Sequence, residues 1–135
     1  MFETASTIIL CDNHQQGCPV LVLERTADAP RFPGGLDLIG GLALPGESPE
    51  LTALRELYEE TGIRINSLEY LYAKSEQDYI DHIFYSFMHI NLNSVICGEG
   101  KKIYLMPILA LCNFSMAFDH QLTIRSFLRL VEIKV

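Results

Sequence analysis

A mixed β-sheet between two helices, an α/β architecture, follows from the order of elements in this chain. Three observations carry that reading. An apolar, β-branched hairpin opens the chain, a helix with clear ends stands in the middle with strands on both sides, and a second amphipathic helix closes it. With 49% apolar and 20% charged residues, 135 residues suit one globular domain over 1–135 that buries its own core.

Thr4–Cys11 is apolar and β-branched and reads as a buried strand. Asp12–Pro19 carries turn residues, and Val20–Glu24 is the return strand of a hairpin. Ala27–Gly35, with two prolines and two glycines, is a loop, and Leu36–Ile39 a short strand. After the central helix, Ile63–Ile65 and Leu68–Lys74 read as strands, Ser75–Asp81 as a polar connection, and His82–Asn91 as an aromatic-rich central strand. Asn93–Lys101 is a loop, Lys102–Pro107 a strand and Ile108–Leu111 a short turn or helix. From Asp119 to Leu130 the pattern is helical, with Leu122, Phe127 and Leu130 on roughly one side.

The central helix runs from Ser48, a good N-cap, through Pro49 at the first helical position, to Gly62, which can take the left-handed conformation that ends helices. At about 100° per residue, Leu51, Ala53, Leu54, Leu57, Tyr58 and Thr61 share a core-facing arc, while Arg55, Glu56, Glu59 and Glu60 take the other. Glu56, Glu59 and Glu60 are related by i, i+3 and i+4, which directs them to one patch. Three anions so placed repel one another unless water screens them or a cation lies among them. Oxygen-only donors suit Mg²⁺ or Mn²⁺ rather than Zn²⁺. A bare ELYEE is most simply a solvated acidic face. The upstream Gly40-Gly41 and Pro45-Gly46-Glu47 add a glycine-rich approach to a helix N-terminus, where backbone N–H groups favour an anion. Glu47 reaches the carboxylates only if that loop folds back.

Gly41–Ile63, GLALPGESPELTALRELYEETGI, resembles the Nudix box, G-x5-E-x7-R-E-U-x-E-E-x-G-U with U a bulky aliphatic residue. Gly41, Glu47, Arg55, Glu56, Leu57, Glu59, Glu60, Gly62 and Ile63 fill every defined position. The resemblance implies a Nudix-type α/β/α sandwich with a mixed β-sheet and hydrolysis of a nucleoside diphosphate linked to another moiety, either a (d)NTP or an ADP-ribose or nucleotide-sugar type. It implies Mg²⁺ or Mn²⁺ held by Glu59 and Glu60, with Glu56 as ligand or base and the Gly40 carbonyl joining the shell. It casts Arg55 as orienting the carboxylates, Glu47 as support, and Gly41 as part of the substrate approach. Similar proteins place a substrate-contacting arginine where Arg25 ends the hairpin; an exposed surface arginine is the plain alternative. Glu99 lies where some members supply another ligand or base; Glu76, Asp78 and Asp81 compete for the base role. Phe118-Asp119-His120 is similar to a triplet in enzymes acting on ADP-ribose, so His120 is a substrate-binding candidate, although Asp119 as an N-cap explains that residue alone.

A formal charge of −7 makes a nucleic-acid backbone an unfavourable partner, while a small nucleotide is compatible once a metal offsets the local charge. No apolar run approaches the ~18 residues of a membrane span, and MFETAS lacks the basic region of a secretory leader. Cys11, Cys18, Cys97 and Cys112 have no metal spacing and read as free thiols in a reducing cytoplasm. A homodimer is left open. The alternative function is a catalytically silent nucleotide-binding or sensor domain; intact box carboxylates and a length that leaves no room for an output domain argue against it. An isoprenoid diphosphate isomerase on a related fold ranks last.

Overall fold

The computed structural model describes residues 3–98 and 101–133. β1 (Glu3–Cys11) runs through the middle of a mixed sheet that has seven strands among the described residues. On one side it pairs in parallel with β6 (Tyr79–Phe87) over its whole length, from Glu3↔Tyr79 to Cys11↔Phe87. On the other it pairs antiparallel with β4 (Ile39–Leu42) and, at Cys11↔Val20, with β2 (Val20–Glu24). β2 also pairs antiparallel with β3 (Leu36–Asp37) and β7 (Lys102–Met106), and β5 (Glu69–Ser75) flanks β6.

Residues two apart on a strand share a face, and β1 shows how this divides the core. Ile8 and Leu10 join Leu21, Leu23, Ile39 and Phe84 under the buried Ala53 and Leu57 of α1 (Pro49–Thr61). Ile9 and Cys11 point the other way, with Val20, Val22 and Ile83, to meet Ile124 and Phe127 of α3 (His120–Leu130). Phe127 is wholly buried, and removing such a side chain from water contributes about 2–3 kcal/mol. Between β7 and α3 lies the four-residue α2 (Ile108–Leu111). The result is a mixed sheet with α1 on one face and α3 on the other.

Local signals place α1 well. The Ser48 side chain accepts from the Leu51 N–H, Pro49 opens the helix, and Gly62 ends it at φ 74° with its N–H on the Tyr58 carbonyl. Within the helix, Leu51 and Tyr58 are exposed rather than core, and Thr52 is buried instead. In α3 the exposed residues include Leu122 and Leu130, and the buried face is His120, Thr123, Ile124 and Phe127. Asp119 occupies the cap position in a left-handed conformation, φ 54°, and its side chain makes no capping bond.

Strand limits follow partners more than composition. Ile63–Ile65 is not a strand; Ile63 and Ile65 pack against the core under α1 without joining a ladder. β6 begins at Tyr79 and stops at Phe87 because its parallel register with β1 sets both ends. Leu36–Ile39 divides at Leu38, since Leu36–Asp37 pairs with β2 whereas the segment from Ile39 pairs with β1 and extends through Gly41 to Leu42. Cys11 and Cys18 are buried free thiols, with the Cys11 Sγ 3.4 Å from the Cys18 carbonyl oxygen.

Candidate active site

Arg55 ties the loop before α1 to the helix. Its Nε and Nη2 donate to the two oxygens of Glu47 at 2.8 and 3.0 Å, and Nη2 also to the Leu42 carbonyl at 3.0 Å. Its Nη1 donates to Glu56 Oε1 at 3.0 Å and Glu59 Oε2 at 3.1 Å. Glu47 accepts in addition from the Leu44 N–H and the Thr52 hydroxyl, so the loop does fold back. The bidentate Arg55 contact, with the Leu44 bond, holds the Glu47 carboxyl down at about pH 2 as its pKa. The Glu47 contacts raise the Arg55 pKa in turn. Glu47 is thus a brace, ionised at neutral pH, that orients the arginine.

Two consecutive glycines are required for different reasons. A Cβ on Gly40 would lie 2.2 Å from the Ser6 carbonyl oxygen of the neighbouring strand. A Cβ on Gly41 would lie 2.5 Å from Glu56 Oε1. Gly41 therefore makes room for a carboxylate, and Gly40 for the β1–β4 pairing.

The three glutamates do not converge equally. Glu59 is 55% exposed and turned to Arg55, whereas the Glu60 side chain is only 11% exposed. Glu60 Oε1 accepts from the Gly40 N–H at 3.0 Å, and Lys101 Nζ lies 3.3 Å from Oε2. The acidic face is not uniformly exposed, because β4 and Lys101 cover its Glu60 end. Among the described residues no three carboxylate, imidazole or thiol groups are grouped closely enough to hold a metal as they stand. Burial raises the Glu60 pKa to about 7, against the pull of Lys101, and raises that of Glu56 as well. Repulsion between the carboxylates adds to both shifts. Two desolvated, mutually repelled carboxylates with hard oxygen donors fit a small divalent cation.

A cleft of about 390 Å³ opens on the α3 face of the sheet and takes in Gly40, Gly41 and Leu42 of β4. Arg25, Gly41 and His120 all line it, although they come from the end of β2, from β4 and from the start of α3. Arg25 Nη1 bonds Asp37 Oδ2 at 2.9 Å, its Nε bonds the Arg31 carbonyl at 2.8 Å, and its guanidinium carbon stands 5.1 Å from the Phe118 ring centre. Arg31 covers the same ring at 4.9 Å. His120 is buried, with Nε2 3.4 Å from Asp37 Oδ1 and Nδ1 3.2 Å from the Thr123 hydroxyl. Burial, with Lys74 adding repulsion, lowers its pKa to about 3, so it is neutral. The neutral Nε2–H tautomer satisfies both contacts. His120 is therefore a fixed support of Asp37 as well as a cleft wall, not an ordinary first-turn residue.

Sequence reasoning passed over Asp37, Thr7, Arg31 and Lys101. Each has an unremarkable local context; strand pairing brings Thr7 and Asp37 to the cleft, while Arg31 reaches it from the loop before β3 and Lys101 reaches Glu60 from the segment before β7. Asp78 and Asp81 line the cleft, whereas Glu76 pairs with Lys74 at 3.2 Å. Glu99 lies outside the described residues.

The NUDIX domain family model matches residues 1–102. A MutT/nudix family protein from Enterococcus faecalis superposes at TM-score 0.79 with 22% identity, covering 98% of this chain and 63% of that one. This chain thus spans less than two thirds of that protein's length. A MutT structure described for Aliivibrio salmonicida and Vibrio cholerae gives TM-score 0.79 with 17% identity, covering 97% and 100%. The NUDIX domain of Shewanella oneidensis NrtR complexed with ADP ribose gives 0.70 with 24% identity, covering 93% and 86%; NrtR also matches as a complex with a 27mer DNA. No curated protein matches. No helix among the described residues is long and apolar enough to cross a membrane.

Proposed function

The chain belongs to the Nudix hydrolase family, and from that premise we propose that it is a Mg²⁺- or Mn²⁺-dependent pyrophosphohydrolase acting on a nucleoside diphosphate linked to another moiety, a (d)NTP or an ADP-ribose or nucleotide-sugar type. One observation carries the reading. Gly41 both lines the cleft and lies against Glu56, so the carboxylate helix and the binding cleft meet at one residue. A ligand seated between Arg25 and Gly41 would present its phosphates to Glu56 and Glu60. The complex of the related NrtR domain with ADP ribose supports a nucleotide-type ligand.

A bound divalent ion would neutralise charge on phosphate oxygens and lower the pKa of a bound water. Glu56 and Glu60 would hold it, with Glu59 and the Gly40 carbonyl as further donors. Arg55 fixes Glu56 in place, and the Gly40 N–H fixes Glu60. Arg25 and Arg31 with Phe118 would bind the distal part of the substrate. The water-activating base would be Glu56, Glu99 or an acid of the 75–81 segment. The same reading takes residues 1–135 as one domain working in a reducing cytoplasm.

Purified protein, stripped with EDTA, should release no phosphate from (d)NTPs, ADP-ribose, nucleotide sugars or dinucleoside polyphosphates. Addition of Mg²⁺ or Mn²⁺ should restore turnover. Tight nucleotide binding without turnover under any metal would support the silent sensor instead, and full activity in verified metal-free protein would end the metal reading.

A further inference from the structure

We propose that Asp81, steadied by Thr7 on the floor of the cleft, is a specificity residue that selects nucleotides whose base carries an exocyclic amino group. This rests on the nucleotide reading above and adds the class of base.

Alternation along β1 and β6 divides their residues between the two faces of the sheet. On β1 the residues facing α3 run Ala5, Thr7, Ile9, Cys11, and on β6 they run Tyr79, Asp81, Ile83, Tyr85, Phe87. Ile9, Cys11 and Ile83 are fully buried in the core under α3. The cleft opens where that core stops, and there the stripe turns polar. Thr7 and Asp81 are each 4% exposed, at positions the pattern would otherwise give to aliphatic residues.

Asp81 is poorly served by its own protein. One Thr7 hydroxyl, 2.9 Å from each oxygen, offers a single proton to a group with about four acceptor sites. Lys74 is its cross-strand partner, yet the Lys74 ammonium donates to the Phe118 carbonyl at 2.7 Å and pairs with Glu76 at 3.2 Å. Among the described residues no cation lies within ion-pair distance of Asp81. A buried carboxylate with so few donors costs stability unless something else supplies them. Folding alone gives no return for it, whereas a ligand bearing N–H groups does.

The same charge orients the ligand. Asp37, Asp78 and Asp81 repel phosphates, which are drawn instead to the Gly41 end near Glu56, and the base is left facing Asp81. Phe118, with the Arg25 and Arg31 guanidiniums over its ring, lines the same cleft and adds planar groups suited to a heterocycle. An exocyclic amino group donates to Asp81. An oxo group at the same place turns a lone pair toward the carboxylate and is repelled. Adenine and cytosine, which carry an amino group where hypoxanthine, uracil and thymine carry an oxo group, are therefore favoured over those bases, and guanine, whose 2-amino group adds a donor beside the N1–H it shares with hypoxanthine, is favoured over hypoxanthine.

The test is calorimetric binding of nucleoside monophosphates, which needs no turnover: AMP against IMP, GMP against IMP and CMP against UMP. In the tightest-binding pair the amino member should bind about tenfold or more tightly, the ratio one N–H donated to a buried carboxylate supports. Asp81→Asn should bring that pair to within roughly threefold, since the amide offers its own donor and no charge. Thermal melting checks that the variant is folded, and Asp81→Ser serves if it is not. Tightest binding by IMP or UMP, an unchanged ratio in the variant, or no binding of any monophosphate at millimolar concentration would overturn the assignment. Absence of phosphate release in the screen would instead count against the hydrolase reading, and the binding ratios would still decide the role of Asp81.

Discussion

Replacing each of the two adjacent glycines by alanine should separate folding from chemistry. In Gly40→Ala the new methyl carbon meets the Ser6 carbonyl oxygen at 2.2 Å and the Thr7 Cα at 2.9 Å. Both are backbone atoms of the central strand, so relief requires β4 to move away from β1. Overpacking against backbone costs about 3 kcal/mol, a fall in Tm of roughly 10 °C in a domain of this size. In Gly41→Ala the obstacle is the Glu56 carboxylate, at 2.5 Å from Oε1 and 2.6 Å from Cδ. A flexible side chain can retreat, and ordinary contact requires a shift of about 1 Å, a displacement that can cost on the order of 100-fold in rate at an active site. Reduced freedom of the unfolded chain offsets part of the strain by about 0.4–1 kcal/mol, so the Tm should stay within a few degrees. Differential scanning calorimetry and steady-state kinetics on the best substrate from the screen read both effects. A Gly41→Ala enzyme with wild-type kcat would refute the claim that this glycine exists to admit Glu56. An unaltered Tm in Gly40→Ala would refute the steric account of the β1–β4 pairing.

Glu60→Gln should fold with stability unchanged to within about 1 kcal/mol, or raised, because it removes a desolvated charge, while kcat falls by at least about 100-fold; a folded, fully active variant would exclude Glu60 from the chemistry. Arg25→Ala should raise KM by about tenfold with a smaller change in kcat, the pattern of lost substrate binding; an unaltered KM would take Arg25 out of the cleft's function. His120→Ala leaves Asp37 without its imidazole and should lose about 2 kcal/mol of stability, read by urea denaturation; a stability equal to wild type would contradict its supporting role. Burial first, with repulsion from Asp37 and Glu76, raises the Asp81 pKa from 3.8 to about 6. The folded state thus binds the proton more tightly than the unfolded one, and stability from this group is present at low pH and lost as pH rises from about 4 to 6, by up to roughly 3 kcal/mol. His120, with its pKa lowered, has the opposite slope over about pH 3 to 6.5, so the Asp81 effect appears in wild type minus Asp81→Asn. If the two stability profiles run parallel through that window, Asp81 is not titrating as described.

What was legible in the sequence depended on the range of the interactions. The caps of α1 and the i, i+4 spacing of its carboxylates are local, and a helix fixes them wherever it is placed. Ser48, Gly62 and the Arg55 contact to Glu59 could therefore be placed from the sequence. The two short strands around Leu38 and the ends of β6 could not, because they depend on which neighbours offer backbone partners. The same holds for the unequal fates of Glu59 and Glu60. On an isolated helix they are adjacent and equivalent, but Gly40 and Lys101 approach only one of them, and burial then shifts its proton affinity. Asp37, Thr7 and Asp81 carry no motif; three strands bring them to one cleft, and His120 becomes a support rather than a surface residue because α3 packs down on it. The sequence by itself determined the helix, its capping and the set of carboxylates. Tertiary structure decided which carboxylates lose water and which residues from distant strands face the ligand, because desolvation and strand pairing depend on contacts between segments far apart in the chain.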